Sequence, residues 1–183
     1  MKEITFITGN PKKVEQLQRY LTFPIQHKAF DLPEIQSLDL ETVAVLKAKA
    51  AYEMHGAPVL VEDTGLAFTA LRGLPGPFVK WFLETVGNAG MCRMLDTYED
   101  RTAVAQICFV LYDEDGPHIF AASRPGTISA TPLGLQEFGW NPIFIPAGET
   151  KTWAEMSLEE QKVTSMRRLA IEKVQAYLET HYV

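Results

Sequence analysis

Apolar and polar residues alternate along the first part of the chain in blocks that predict a strand followed by a helix. Residues 3–8 are apolar and β-branched and stop at a glycine, which is typical of a buried strand that opens an α/β unit. Apolar residues then recur at helical spacing up to Leu21, and Asn10 provides a favourable N-cap. We expect this helix to end before Pro24.

A second strand and a longer helix are predicted next. Residues 25–30 form a weaker strand candidate, and residues 31–39 form a polar loop. The helix that follows ends near Gly56, the residue type that terminates helices most readily. We assign its apolar face to Val43, Leu46, Ala50 and Met54.

Two acidic residues follow the next apolar run directly. Residues 59–61 predict a short buried strand, and Glu62 and Asp63 are therefore expected at its C-terminal end. A loop rich in glycine and proline then leads into a helix from about Phe78, and another helix is predicted over residues 89–95.

The remainder of the chain predicts strands, an irregular loop and a final helix. The strands cover residues 103–112 and 118–123, joined by an Asp-Gly hairpin turn, and a third, shorter strand begins at Ile128. Residues 131–150 contain three prolines and three glycines, and long irregular loops of this kind are often functional. The last helix is predicted over residues 164–179, and the whole chain, 1–183, is interpreted as one mixed α/β domain.

Composition narrows the classes of protein that fit this pattern. The chain has 183 residues, of which 46% are hydrophobic, so it can bury a substantial core. Seventeen basic residues against 23 acidic ones, without a basic cluster, exclude a nucleic-acid polymer or an anionic membrane as the expected partner. Cys92 and Cys108 are interpreted as buried free thiols, and the lack of an export signal predicts a soluble, cytoplasmic protein.

The segment between the first strand and the first helix could bind an anion. Thr8, Gly9 and Asn10 lead into a helix whose first turn contains Lys13. Free backbone amides at a helix N-terminus, with a lysine nearby, suit a phosphate group. An ordinary strand-to-helix turn with exposed lysines is the alternative.

Three carboxylates could hold a metal ion or act as a base. Glu34 lies in the polar loop, and Glu62 and Asp63 follow a strand. Mg²⁺ prefers oxygen ligands and bridges to substrate phosphates. The alternative is that Asp63 caps a turn while Glu62 is solvated. Histidines are not clustered, which gives a transition-metal site little support.

An aromatic pair in the long loop could bind a planar base. Phe138 and Trp140 flank a glycine, and the amide of Asn141 offers both a donor and an acceptor. The alternative is that these rings are core residues that anchor the loop.

Five sequence blocks together resemble one known family. The blocks are TGNPKK at 8–13, LPE at 32–34, VEDTGLAFTALRGLPGPFVKWF at 61–82, FGWNPIF at 138–144 and TWAEMSLEEQKVTSMR at 152–167. In the same order and from end to end, they resemble the inosine/xanthosine triphosphate pyrophosphatases, the Ham1-like house-cleaning enzymes. The resemblance implies an elongated α/β fold with a mixed central sheet and two lobes around a cleft, and a homodimer. It also implies Mg²⁺-dependent hydrolysis of a nucleoside triphosphate to a monophosphate and pyrophosphate.

The resemblance also assigns roles to individual positions. Glu34 and Asp63 would hold Mg²⁺, and Asp63, Glu62 and Lys13 would be catalytic. Substrate binding would involve Thr8, Asn10, Lys13, Lys47, Phe138, Trp140, Asn141, Lys162, Ser165, Met166 and Arg167.

The end of the site that would recognise the base departs from the family pattern. Asn141 replaces the usual aspartate, Met166 replaces the histidine of an SHR motif, and Gln161 replaces a lysine, with Lys162 one place along. We therefore expect the triphosphate chemistry to be kept while base preference has shifted. The alternatives are a pyrophosphatase for another modified or pyrimidine nucleotide, and a non-catalytic nucleotide-binding relative.

Overall fold

The computed structural model describes residues 3–182, which form seven strands and six α-helices. The strands are β1 (Thr5–Ile7), β2 (Gln26–Lys28), β3 (Val59–Phe68), β4 (Pro75–Gly76), β5 (Thr102–Asp113), β6 (Gly116–Ile128) and β7 (Phe144–Pro146). The helices are α1 (Pro11–Gln18), α2 (Leu40–His55), α3 (Val79–Thr85), α4 (Gly87–Arg93), α5 (Leu158–Thr164) and α6 (Met166–His181). The predicted α/β class is confirmed.

The strands form one mixed sheet. Its order is β2-β1-β3-β5-β6-β7, and β4 pairs with β3 outside this path. β1 is parallel to both β2 and β3, whereas β4 is antiparallel to β3 and β7 is antiparallel to β6. The sheet therefore combines a parallel part near the N-terminus with hairpin-type pairing further along the chain.

The chain forms two compact units, and each is built from separate stretches of sequence. The first unit contains the residues up to Asp63, Ile107–Ala122 and the residues from Arg167 onward. The second unit contains Thr64–Gln106 and Ser123–Met166. β3, β5 and β6 each contribute one part to either unit. Interpretation of the chain as a single functional domain stays a prediction.

α1 begins as predicted and ends earlier. Asn10 is the N-cap, and its side chain accepts a hydrogen bond from the backbone amide of Lys12. The helix stops at Gln18, and the amides of Tyr20 and Leu21 both donate to the carbonyl of Leu17 in a closing turn. Leu21 therefore belongs to the turn, not to the helix.

The buried face of α2 differs from the predicted one. Leu46 and Met54 are exposed, and of the four predicted residues only Val43 is buried. A stripe of small residues, Ala44, Ala48 and Ala51, is buried instead. The core that this stripe joins comprises Ile7, Leu40, Ala44, Ala48, Ala51, Val59, Val61, Cys108 and Val110. Alanine allows a helix to lie close to a sheet, whereas the sequence prediction places the larger apolar side chains in the core.

β3 continues well beyond the predicted strand. We expected residues 59–61 only, with the acids after the strand end, but Glu62 and Asp63 lie inside a ten-residue strand. The extension has a physical cause, because Leu66 and Phe68 alternate as buried residues and the segment pairs with β4. The polar pair interrupts the apolar pattern without ending the strand.

The C-terminal half requires two further corrections. Ile128 is the last residue of β6 and does not begin a new strand, and the third strand of this region is β7, inside the predicted irregular loop. The predicted helix over 164–179 corresponds to α6, and α5 precedes it. α5 has a capping box, in which Ser157 and Glu160 each accept from the other's backbone amide.

The two thiols are free and buried, as predicted. Burial raises the pKa of Cys108 to about 12 and also raises the pKa of Cys92, so both thiols stay protonated near neutral pH. Among residues 3–182, no helix combines the length and apolar character that a membrane span requires.

Candidate active site

The residues predicted for the site fall into two groups, one in each unit. The first unit contains Thr8, Asn10, Lys13, Glu34, Lys47, Glu62, Asp63 and Arg167. The second unit contains Phe138, Trp140, Asn141, Lys162, Ser165 and Met166. Within the first unit, six ionisable side chains, here called the charged cluster, are Lys13, Glu34, Lys47, Glu62, Asp63 and Arg167.

The turn before α1 is held by short-range hydrogen bonds. The hydroxyl oxygen of Thr8 accepts from the amide of Asn10 at 3.1 Å, and the carboxamide oxygen of Asn10 accepts from the amide of Lys12 at 3.0 Å. Lys13 lies in the first turn of the helix, and its amide donates to the carbonyl of Asn10. The N-cap Asn10 and Lys13 therefore belong to the same first turn of α1.

Glu62 lies between two cations. Its side chain is completely buried, one oxygen lies 3.3 Å from the ammonium nitrogen of Lys13, and the other accepts from the guanidinium group of Arg167. Lys13 also donates to the backbone carbonyl of Glu62 at 3.3 Å. Burial tends to raise the pKa of Glu62, but Arg167 and Lys13 outweigh it and lower that pKa overall. Glu62 is therefore a carboxylate at neutral pH.

Lys47 joins the other two acids of the charged cluster. Its ammonium nitrogen lies 2.8 Å from Glu34 and 3.0 Å from Asp63. Lys47 follows the spacing of Ala44, Ala48 and Ala51 along α2, and this explains why a lysine on that helix reaches β3. Burial works to lower the pKa of Lys47, yet Asp63 and Glu34 raise it overall, so the side chain stays charged.

Asp63 differs from its neighbour Glu62 in its surroundings. Asp63 Oδ1 accepts from Lys47, whereas buried Oδ2 has no hydrogen-bond partner within residues 3–182. Burial raises the pKa of Asp63, although Lys47 and Lys13 oppose the shift. Successive side chains of a strand point to opposite faces, so two adjacent acids experience different fields. Oδ2 is an acceptor that is available to a ligand, a metal ion or a water proton.

In the second unit, Trp140 is part of an aromatic cluster. Its ring centroid lies 5.8 Å from that of Phe144 and 5.7 Å from that of Trp153, and Phe144 and Trp153 are 4.6 Å apart. Trp140 is only 7% exposed. The indole of Trp153 donates to Thr164, which connects this cluster to the end of α5. The structure therefore favours the packing alternative for Trp140, while Phe138 beside it is only partly buried.

The residues at the end of the site that departs from the family pattern have distinct environments. Met166 is buried, whereas Asn141 and Ser165 are partly buried and Lys162 is exposed. The side-chain amide of Gln161 donates to two backbone carbonyls, those of Trp153 at 2.7 Å and Met156 at 3.2 Å. Gln161 therefore fixes the segment before α5.

Two hydrogen bonds among these residues are not predicted by the sequence. The amide nitrogen of Asn88 in α4 donates to the carbonyl of Gly139 at 3.0 Å, so α4 holds the loop that carries Phe138. Arg167, expected near the base, contacts Glu62 from 105 positions away in the chain. No local pattern signals either contact, because both join segments that are distant in sequence.

The fold and the charged cluster together define a class of protein, a mixed α/β protein with a site suited to phosphate groups. A mixed α/β fold carries a partly buried cluster of three acidic and three basic side chains, next to a helix N-terminus. Such a cluster suits a phosphorylated ligand. A sequence profile that describes the Ham1 family matches residues 4–177, and the chain belongs to the Ham1 family.

Relatives with curated names match the chain over nearly its full length. An inosine triphosphate pyrophosphatase of Ajellomyces capsulatus is 42% identical over 186 residues, which covers 100% of both chains. An inosine triphosphate pyrophosphatase of Giardia intestinalis is 45% identical and covers 96% of this chain and 92% of its own. The family resemblance inferred from the five sequence blocks is confirmed.

Solved structures of the family have the same fold. A HAM1 protein from Coxiella burnetii superposes with a TM-score of 0.84 at 27% identity, and the match covers 98% of this chain and 100% of that one. The Ham1 protein of Staphylococcus aureus gives a TM-score of 0.81 at 28% identity, with 98% and 99% covered. The family-specific fold predicted from the sequence is therefore confirmed.

Proposed function

We propose that this chain is a Mg²⁺-dependent nucleoside triphosphate pyrophosphohydrolase that converts a non-standard purine nucleotide, such as ITP, dITP or XTP, to the monophosphate and pyrophosphate. The names of its relatives support the reaction class, since the curated matches are inosine triphosphate pyrophosphatases. The charged cluster supports the chemistry. Removal of such nucleotides is a house-cleaning activity.

One observation carries the proposed chemistry, which is the unpartnered oxygen of Asp63. Oδ2 is buried and has no hydrogen-bond partner within residues 3–182, while Oδ1 is fixed by Lys47. A general base must have a free acceptor within reach of the proton that it removes, and a raised pKa brings a carboxylate closer to the working pH. In this proposal, Asp63 takes the proton of the attacking water.

The acidic residues fit a magnesium ion that arrives with the substrate. No group of three or more His, Cys, Asp or Glu side chains in the described part of the chain is arranged to hold a metal ion. Mg²⁺ commonly binds through one or two carboxylates together with substrate phosphates. Glu34 and Asp63 would hold it here, because carboxylate oxygens are ligands that this ion prefers. When bound, Mg²⁺ supplies positive charge to the phosphate oxygens.

Two basic residues of the charged cluster, Lys13 and Lys47, would bind and orient the triphosphate. Lys13, Lys47 and Arg167 are matched by Glu34, Glu62 and Asp63 when all six are ionised. The cluster therefore has no excess positive charge of its own, which supports the need for a metal cation. Lys13 at the N-terminus of α1 and the backbone amides of that turn would contact phosphate oxygens and stabilise the charge on the departing pyrophosphate.

Base preference has shifted in this proposal. Met166 has no hydrogen-bond donor to offer a base, and the amide of Gln161 already donates to two backbone carbonyls. A site that hydrogen-bonds a substrate group rejects an analogue by roughly 10⁴–10⁵, whereas an apolar pocket discriminates by only about 10–200-fold. We expect discrimination between ITP and the standard nucleotides in the lower range.

The test is a panel of nucleotides with pyrophosphate release as the readout. Purified protein is assayed with ITP, dITP, XTP, dUTP and the four standard ribonucleotides, with Mg²⁺ and with a chelator in its place. We expect equal amounts of monophosphate and pyrophosphate, only in the presence of Mg²⁺. A preference for ITP and XTP above about 10⁴ would contradict the shifted base preference.

A second outcome of the nucleotide panel would show that the chain is not a catalyst. If no nucleotide releases pyrophosphate, while ITP still raises the unfolding temperature, the chain is a nucleotide-binding protein without catalysis. Cytoplasmic location and a homodimer complete the proposal, and analytical ultracentrifugation tests the latter.

A further inference from the structure

The buried carboxylate of Glu62 is surrounded by cations from two helices. Lys13 belongs to α1 and Arg167 to α6, and both approach Glu62 on β3. We infer that Glu62 is a positioning residue, which holds Lys13 where it can bind the triphosphate and which takes Arg167 as its structural counter-ion. This inference rests on the proposed function and assigns Glu62 a role distinct from that of Asp63.

The positions of the two cations show why an internal anion is needed. Lys13 and Arg167 both lie in the first turns of their helices, and neither first turn contains an acidic residue. A helix N-terminus carries partial positive charge and disfavours a cation. Arg167 is also only 7% exposed, so water cannot offset its charge. Glu62 is the carboxylate that compensates both side chains, and it fixes where they lie.

The geometry also shows why Glu62 does not act as the base. One of its oxygens accepts from Arg167, the other faces Lys13 at 3.3 Å, and the side chain has no exposed surface. A substrate water would have to displace a buried ion pair to reach it. Glu62 Oε1 and Asp63 Oδ2 both lack a hydrogen-bond partner within the described residues, but Oε1 is paired with the Lys13 ammonium group at 3.3 Å, whereas Lys47 pairs with the other oxygen of Asp63, Oδ1.

Replacement of the charge by an isosteric amide gives two opposite expectations. Simple electrostatics predicts that Glu62→Gln binds a polyanion more tightly, because a negative charge next to Lys13 is removed. Positioning predicts weaker binding, because Lys13 loses the group that fixes it, and a displacement of about 1 Å can cost on the order of 100-fold. The sign of the change therefore separates the two explanations.

The probe is inorganic tripolyphosphate in magnesium buffer, and its affinity is measured by titration calorimetry. We expect wild-type protein to bind and Glu62→Gln to bind about 10- to 100-fold more weakly. Glu15→Gln is the matched control, since it breaks an exposed ion pair with Arg19 on the same helix α1 and should leave the affinity unchanged. Equal or tighter binding by Glu62→Gln overturns the inference, and so does a lack of binding by the wild type.

A second pair of variants protects the test against a folding defect. Glu62→Gln neutralises the buried carboxylate that Arg167 contacts, whereas Glu62→Gln combined with Arg167→Met removes both charges. If Arg167 acts only through Glu62, the double variant binds tripolyphosphate no more weakly than Glu62→Gln alone. If the double variant binds tripolyphosphate more weakly than Glu62→Gln alone, Arg167 contacts the ligand independently, and this part of the inference is wrong.

Steady-state kinetics distinguishes this inference from the proposed function. We expect Glu62→Gln to raise KM for the best nucleotide as well as lowering kcat, because substrate is held less well in the ground state. A fall in kcat at unchanged KM would instead place Glu62 at the reacting water. If the wild type releases no pyrophosphate, the proposed function fails, while the tripolyphosphate measurements still decide the role of Glu62.

Discussion

Asp63 and Glu62 are neighbours in β3, and their oxygens have different partners. Burial raises the pKa of Asp63, whereas Arg167 and Lys13 overcome the same effect at Glu62 and lower its pKa. Adjacent carboxylates with opposite shifts are a common way to separate a proton acceptor from a fixed charge. In the proposed function, the difference in role between the two carboxylates follows from their environments.

Replacement of Asp63 tests its role directly. We expect Asp63→Asn to lower pyrophosphate release by about 10²–10⁴-fold, the usual contribution of a general base, without loss of the folded state. Thermal unfolding of the variant should remain cooperative. Asp31→Asn, in the exposed loop before Glu34, is the control and should retain full activity. Full activity in Asp63→Asn would assign the proton transfer to another group.

The hydrogen bond between Tyr182 and Asp113 should make the stability of the fold depend on pH. The hydroxyl of Tyr182 donates to Asp113 at 2.5 Å, and His118 lies 3.0 Å from the same carboxylate. Burial raises the pKa of Asp113, but these hydrogen bonds outweigh it and lower that pKa from its ordinary value of 3.8. Because the folded pKa is depressed, this stabilisation is present above pH 3.8 and is lost as the pH falls through the folded pKa.

We therefore expect Tyr182→Phe to lower the free energy of unfolding by about 1.5–3 kcal/mol at pH 7, the range for a hydrogen bond to a charged group. The difference from the wild type should shrink on acidification below pH 3.8, as measured by urea unfolding at several pH values. Tyr98→Phe, at an exposed tyrosine, is the control. An equal loss at acidic and neutral pH would attribute the effect to packing.

For individual residues, the sequence predicted most members of the charged cluster but not which of them form ion pairs. Lys13, Glu34 and Asp63 were identified as residue types suited to phosphate and magnesium, and they lie in one unit. The ion pair between Glu62 and Arg167 joins positions 105 residues apart, and only the folded chain brings them together. The resemblance supplied Arg167 as a site residue but not its contact with Glu62.

Helix α2 shows how an element can be predicted while its packing is not. Its N-terminal region and its end at Gly56 agree with the sequence, but the buried stripe consists of alanines. Large apolar side chains such as Leu46 and Met54 are exposed because they lie on another face of the helix, and the buried face combines these alanines with Leu40 and Val43. Periodicity alone does not distinguish a close-packed alanine face from a neighbouring face with larger residues.

This packing gives a prediction opposite in direction to the sequence interpretation. Ala48→Leu should lower the free energy of unfolding by about 1–3 kcal/mol, because a fully buried alanine has no room for a larger side chain. Leu46→Ala on the same helix should change it by less than about 0.5 kcal/mol, since Leu46 is 42% exposed. Urea unfolding measures both variants. If Leu46→Ala lowers the free energy of unfolding more than Ala48→Leu does, the face with Leu46 is the buried one.

Strand β3 explains why the second half of the sheet was predicted less well. Glu62 and Asp63 interrupt the apolar run, and polar residues at a strand end are more common than inside a strand. In the structure the strand continues because its later residues pair with β4 and bury Leu66 and Phe68. Functional residues break the local pattern where they are placed in regular structure, so a boundary is misread at the site itself.

At the scale of the whole molecule, removal of magnesium should affect activity and not stability. Among the described residues, no group of three or more His, Cys, Asp or Glu side chains could hold a metal ion, and the proposed Mg²⁺ arrives with the substrate. We expect a chelator to abolish pyrophosphate release and to leave the unfolding temperature of the nucleotide-free protein nearly unchanged. Differential scanning calorimetry with and without chelator measures this. A large fall in the unfolding temperature would reveal a structural metal site.

The chain passes between its two units four times, after Asp63, Gln106, Ala122 and Met166. Neither unit is encoded by one continuous stretch, so no truncation, fusion or exon exchange can replace one and keep the other. Substitutions, by contrast, can alter one unit and leave the residues of the other unchanged. Asn141, Gln161 and Met166 all lie in the second unit, whereas the charged cluster lies in the first, so the two sets of residues can vary separately.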